Sequence, residues 1–206
     1  MYRHSTGLVV ALTAFVMSAC AIAPVVPAFA PGDPPPGPDV AVVFGRIEVS
    51  FDSHDAKGES FFLNLEPAAG TGGVAQGELL GFRSGNPFYV VMRPGVYQIG
   101  GSDRPMISCT GVTFTVPEGG GAVYLGTLSI GVEWRTFAPN DIGINVRDDF
   151  DGARAAFQEQ FPNFEGPMVK SLIAVPAPQT RGAATISPCR STAGSVVFPV
   201  SIFFGF

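Results

Sequence analysis

In several short segments between Val40 and Val146 apolar side chains return at every second position, and nothing else in the chain constrains its fold as much. Ile47, Val49 and Phe51 alternate with Glu48 and Ser50, and Phe61, Leu63 and Leu65 with Phe62, Asn64 and Glu66. Val112, Phe114 and Val116 alternate with Thr113 and Thr115, and Ile142, Ile144 and Val146 keep the same period. A period of two sends successive side chains to opposite faces of an extended chain, so each segment sets one face on a core and one in solvent. Residues 79–83, 88–92, 96–99, 123–130 and 132–137 are further predicted strands. Turn chemistry separates them. Arg93-Pro94-Gly95 suits a tight hairpin, because proline presets φ and glycine accepts positive φ, and Pro117-Glu118-Gly119-Gly120-Gly121 makes another loop. Short strands with this punctuation predict a mainly β protein, an antiparallel β-sandwich or an open barrel.

One helix interrupts the pattern, over about residues 148–161. Asp148 or Asp149 can accept an orphan N–H as N-cap, and Phe150, Ala153, Phe157 and Phe161 fall on one stripe. Arg154, Gln158 and Glu159 take other faces, and Pro162 stops the helix. A stripe with three phenylalanines is expected to pack on the sheet. The last segment, 195–206, alternates Phe198, Val200, Ile202, Phe204 and Phe206. It reads as a final sandwich strand, with Pro199 favouring an edge or a bulge. A terminal Phe on such a strand also resembles the assembly signal of outer-membrane β-barrels, but the preceding strands are short for membrane strands.

Of 206 residues 46% are apolar and only 14% charged, with 18 Phe against one Trp, which argues for a phenylalanine-filled interior. The net charge of −5 lacks the basic surface that phosphate binding needs, so no nucleic-acid partner is expected.

The first twenty residues have their own logic. Arg3 and His4 open a short positive stretch, residues 7–17 are apolar but too few to span a membrane, and Ser18 and Ala19 precede Cys20. This is the pattern of a secretory signal peptide over residues 1–19. Met17-Ser18-Ala19-Cys20 resembles the lipobox of bacterial lipoproteins, with Met where Leu is usual. The resemblance implies lipidation of Cys20 and a membrane partner reached through that anchor. Ala21, which is not the Asp that retains such proteins in the inner membrane, implies an outer-membrane lipoprotein facing the periplasm or the cell surface. An ordinary signal peptide cut after Ala28-Phe29-Ala30 is the alternative. Removing residues 1–19 leaves 11 Lys and Arg against 17 Asp and Glu. Residues 20–39 hold seven prolines and read as a semi-rigid tether rather than a packed element, leaving 40–206 as one domain.

Chemistry is sparse. With Cys20 taken by lipid, Cys109 and Cys189 remain, and in an exported chain a structural disulfide between them is the default; a two-Cys metal site is the rival. His54 is the one histidine left after processing. It sits among Asp52, Ser53 and Asp55 without the further ligands a zinc site needs, and reads as a solvated turn, so no metal is expected. No phosphate loop or nucleophile elbow occurs, and no cofactor is expected. A pair of acids for hydrolysis could come from Glu133, Asp141, Asp148, Asp149 or Asp151, whose plainer role is capping and surface charge. Trp134 and Tyr97 are either ligand-stacking aromatics or, more commonly for strands, core.

The stretches VVMRPGVYQIGG (90–101) and FTVPEGGGAVYLGTLSI (114–130) look like small bacterial lipoproteins with a transthyretin-like or carboxypeptidase-regulatory-like sandwich. The resemblance covers residues 42–130, implies fold and envelope location, and carries no catalytic residues. The expected architecture is thus a transthyretin-like or Ig-like sandwich with one helix packed on it. Its expected role is a non-enzymatic binding or structural module for an envelope protein or glycan. The alternative is an exported hydrolase acting on glycan or peptide through loop carboxylates.

Overall fold

A computed structural model describes residues 25–68, 77–102, 107–134, 141–177, 179–181 and 184–191. Cys20 with the expected signal peptide, and the expected last strand over 195–206, lie outside these residues. Among the described residues the strands run in order as β1 (Ala41–Phe51), β2 (His54–Asp55), β3 (Ser60–Pro67), β4 (Glu78–Arg83) and β5 (Pro87–Met92). They continue as β6 (Gly95–Ser102), β7 (Ile107–Cys109), β8 (Thr113–Val116), β9 (Ala122–Glu133) and β10 (Asp141–Arg147). The helix α1 (Phe150–Gln160) follows, then β11 (Met168–Lys170), β12 (Gln179–Arg181), β13 (Ala184–Ile186) and β14 (Cys189–Ser191).

β1 is the spine of one sheet. It runs parallel to β9 on one side, while β5 and then β2 pair antiparallel along its other edge. β9 carries β11, parallel, beside its start and β10, antiparallel, beside its second half. The second sheet runs β14-β7-β6-β3-β4, with β8 continuing the β7 lane along β6. β12 and β13 form a separate hairpin. The two sheets and one helix make the expected mainly β sandwich, mostly antiparallel, with two parallel ladders, β1–β9 and β9–β11. The chain leaves the first sheet after β2, returns for β5, leaves again for β6 and re-enters at β9. It re-enters at the end where β1 begins, with the Val42 N–H donating to the Gly121 carbonyl, so the two strands point the same way.

Arg93-Pro94-Gly95 joins β5 of one sheet to β6 of the other, so it is a crossing between layers and not the expected hairpin. Both strands send alternate side chains into the same space. A turn motif specifies a reversal, which either pairing or stacking satisfies.

That shared space is the main core. β1 contributes Ala41, Val43, Ile47 and Val49, β3 contributes Phe61, Leu63 and Leu65, and β9 contributes Val123, Leu125, Leu128, Ile130 and Val132. The step from Leu125 to Leu128 breaks the period of two. Phe44 faces Tyr124 while Arg46 faces Thr127, so β9 holds one extra residue, a bulge at Gly126 with φ of 97°. A Cβ there would stand 3.0 Å from Val146 and 3.2 Å from the Arg147 carbonyl oxygen, so a side chain would crowd its neighbours as well as strain a backbone that favours glycine. Residues 122–133 run as one strand where the sequence pattern reads two, divided at Gly131.

The outer face of the first sheet carries α1. Phe157 is fully buried and Phe161 nearly so, packed with Phe29, Val42, Phe44 and Tyr124. Ring centroids lie 4.7 Å apart for Phe44 and Phe157 and 4.9 Å apart for Tyr89 and Phe161. Fully burying a Phe side chain is worth roughly 1.5–3 kcal/mol, so this stripe, not helix propensity, holds a helix of 11 residues. At its start Asp148 Oδ1 accepts the Phe150 N–H at 3.1 Å. Asp149 occupies the cap position without a side-chain cap bond, and its own N–H donates to the Tyr124 hydroxyl at 3.0 Å.

The expected tether departs from its reading. Residues 25–29 are packed, strapping the seam between the outer strands β4 and β5. Val25 bridges Leu79, the Val26 N–H donates to the Leu79 carbonyl, the Val91 N–H to the Pro27 carbonyl, and the Phe29 N–H to the Tyr89 carbonyl. Val26 and Phe29 are buried, one in each cluster. Proline forbids donating a hydrogen bond, not accepting one, and Pro27 needs only to accept. From Ala30 to Asp39 the segment is mostly exposed.

Candidate functional site

Cys109 and Cys189 form a disulfide. They stand directly opposite in the β7–β14 ladder, their Cα atoms 4.0 Å apart, and both are buried. Hydrogen bonds extend from the bridge to the first sheet. The Cys189 N–H donates to Ser187 Oγ at 3.3 Å, and Ser187 Oγ donates to the Ile142 carbonyl at 2.7 Å. The Thr110 N–H is held by the Pro188 carbonyl.

His54 closes a two-residue hairpin between β1 and β2. Asp52 and Ser53 adopt positive φ, 47° and 67°, as the right-handed twist of paired strands favours. The ring is exposed, with Nδ1 3.2 Å from the Asp52 carbonyl oxygen. Among the described residues no three His, Cys, Asp or Glu converge as metal ligands.

Trp134 is 48% exposed, which corrects its reading as core. It lies one residue beyond β9, where its backbone N–H donates to Asp52 Oδ1 and its ring stacks on Phe51 at 6.3 Å. Tyr97 is half-buried, stacked on Phe114 at 5.4 Å, and its hydroxyl donates to the Arg93 carbonyl. Burial, and then the charge of Glu78, push the Tyr97 phenol above the usual range.

The candidate acids are dispersed. Asp148 pairs with Lys170 at 2.7 Å, and that hydrogen bond holds the Asp148 carboxyl below the usual range and the Lys170 ammonium above its own. Asp149 and Asp151 flank the start of α1. The β9–β10 ladder sets Asp141 opposite Glu133. Glu48, which the sequence reading passed over, accepts from Ser129 at 3.1 Å and from Arg147 at 3.3 Å on the open half of the sheet's outer face.

The arrangement best suited to a ligand is the free edge of β10. No described strand pairs with that edge. Ile142 points its carbonyl there, toward Ser187, so by alternation Ile144 and Val146 turn their N–H and C=O groups the same way. Their side chains are only half-buried. A groove of about 650 Å³ runs along the edge, floored by Ile142, Gly143 and Ile144, walled by Val175, Pro176 and Pro188, and edged by Ser53, Glu133 and Ser187. Unpaired ladder groups beside an apolar floor can take an extended chain as an added strand. The alternation of β10 was legible in the sequence, but not its place at an edge. The wall comes from Val175, Pro176 and Pro188, in stretches that carry no periodic signal.

No family model, curated protein or solved structure matches the chain.

Proposed function

We propose that the chain is an exported, lipid-anchored cell-envelope lipoprotein, carried on the outer membrane and facing the periplasm or the cell surface. Its sandwich, of the transthyretin-like build its sequence resembles, serves as a non-enzymatic binding or structural module for an envelope protein or glycan. The observation that carries this reading is the buried Cys109–Cys189 bridge. A structural disulfide belongs to an oxidising compartment, and the pairing leaves Cys20, at the end of a lipobox-like segment, as the remaining cysteine of three. The strap supports the same processing. A cut after Ala30 would remove Val26 and Phe29 from the two clusters they fill, whereas a cut before Cys20 keeps them. The β10 groove is where such a module would hold a ligand.

Mass spectrometry of the protein recovered from membranes tests the reading. The expected mass is that of a chain starting at Cys20 and bearing lipid, with Cys20→Ala shifting the protein out of the membrane fraction. A soluble, unlipidated wild type refutes the anchor.

A further inference from the structure

We infer that the sandwich sits flush on the bilayer, with the end that carries Val25 against the lipid headgroups and the β10 groove at the opposite end, turned away from the membrane. The inference rests on the lipid-anchor reading above and adds to it a distance and an orientation.

The distance follows from where the chain first becomes fixed. A tether running to Asp39 would let the domain stand far off. Instead Val25 is already bridged to Leu79, Val26 is 5% exposed, and the next three residues are bonded to β5 or buried. Only residues 21–24 separate Cys20 from Val25. Five Cα–Cα steps span at most about 18 Å even when fully extended. The prolines from Pro31 to Pro38 come after the strap and lengthen nothing.

The orientation follows from the direction of the strap. It pairs parallel to β4 at Val25 and antiparallel to β5 at Ala28. The chain therefore enters from the end where β4 begins and β5 finishes, which is also where β1 and β9 begin. Val25 is 56% exposed there, and Glu118, in the loop that leads into β9, is exposed at the same end. β1 then crosses the sandwich in 11 residues, about 35 Å of strand, to the turn at Asp52 and Ser53. Ser53, Glu133 and Ile142 of the groove lie at that far end, and so does Trp134 beside Phe51. A lipid surface is the one partner that a leash of this length brings to the near end.

Trp134 is the single tryptophan and reports on the far end as the protein stands. The lipidated protein is placed in phosphatidylcholine vesicles doped with dansyl-phosphatidylethanolamine, its lipid confirmed by mass beforehand. Energy transfer is compared between wild type and Trp134→Phe variants carrying Val25→Trp or Glu118→Trp. Glu118 is exposed in a loop, so its variant keeps the core intact if Val25→Trp does not fold. Transfer from positions 25 and 118 should exceed that from Trp134 several-fold, and a long Gly/Ser insertion between Ala23 and Pro24 should abolish the difference. Equal transfer from both ends in a lipidated protein would overturn the flush orientation while leaving the anchor standing. An unlipidated mass would instead remove the anchor, and this inference with it.

Discussion

Ser84 completes the hydrogen bonding of Val49: its hydroxyl accepts the Val49 N–H at 2.8 Å and faces the Val49 carbonyl as donor at 3.4 Å. Ser84 is fully buried, in the crossing from β4 to β5. The relationship matters because β1 has a gap along one edge. β5 pairs with it only as far as Arg46, and β2 pairs with it only from Ser50 on. Between them the Gly85 N–H donates to the Ile47 carbonyl and Ser84 serves Val49, so a loop stands in for a missing strand.

Ser84→Ala should therefore cost about 1–3 kcal/mol, the range for leaving a buried backbone group unsatisfied. Urea unfolding should show a lower midpoint at unchanged slope. Ser53→Ala, in the exposed turn, should stay within about 0.5 kcal/mol. Equal midpoints for the two variants would show that water replaces the hydroxyl without loss.

The helix interface offers a graded test. Phe157→Ala removes a fully buried ring and should cost roughly 3–5 kcal/mol. Tyr124→Phe keeps the packing but removes the hydroxyl that receives the Asp149 N–H, and should cost about 0.5–1.5 kcal/mol. Gln158→Ala, on the exposed face, should be nearly silent. Any other order of melting temperatures would contradict the helix placement.

The disulfide joins residues 80 apart in sequence. Chain entropy then predicts a loss of about 4–5 kcal/mol on its removal, an upper figure. A Cys109→Ser variant and the reduced wild type should melt alike and well below the oxidised protein. Two free thiols in the native protein, read by non-reducing peptide mapping, would defeat the prediction.

The Asp148–Lys170 pair makes a surface contribution with a defined pH window. Asp148 has its carboxyl lowered in the fold, so its share of stability is present above the ordinary aspartate range and is lost as pH falls through the lowered value. Lys170 is raised, so its share is present below the ordinary lysine range and is lost as pH rises through the raised value. Lys170→Met should thus flatten both the acid and the alkaline limbs relative to wild type. Parallel stability–pH curves for the two proteins would mean that solvent screens the pair completely.

Much of the sandwich was legible because burial on one face imposes a period of two. β8 and β10 fall where Phe114 and Ile144 alternate with polar or smaller neighbours. The helix was legible from its phenylalanine stripe, and the cysteine pairing from the count left after Cys20. What stayed hidden concerns neighbours. A pattern along one chain reports which face is buried and not which strand lies alongside, so β1 beside a parallel β9 and the crossing at Pro94 left no trace. The bulge at Gly126 shifted the alternation by one, and Trp134 slipped out of the core by standing just past a strand end. Val26 and Phe29 were masked by the prolines around them. The free edge of β10 is defined by what does not pair with it, and no local residue encodes that.

The strap has a consequence for the order of events in folding. Residues 25–29 leave the ribosome before β4 and β5, the strands they will bind. Until Met92 has passed, Val26 and Phe29 have no seam to enter, and the outer edges of β4 and β5 stay unpaired until the strap returns to them. The strap is a non-local closure, and such contacts form slowly. The first segment of the described chain to appear is thus among the last able to settle, and until then both it and the two strand edges it covers are open to a chaperone or to a wrong partner.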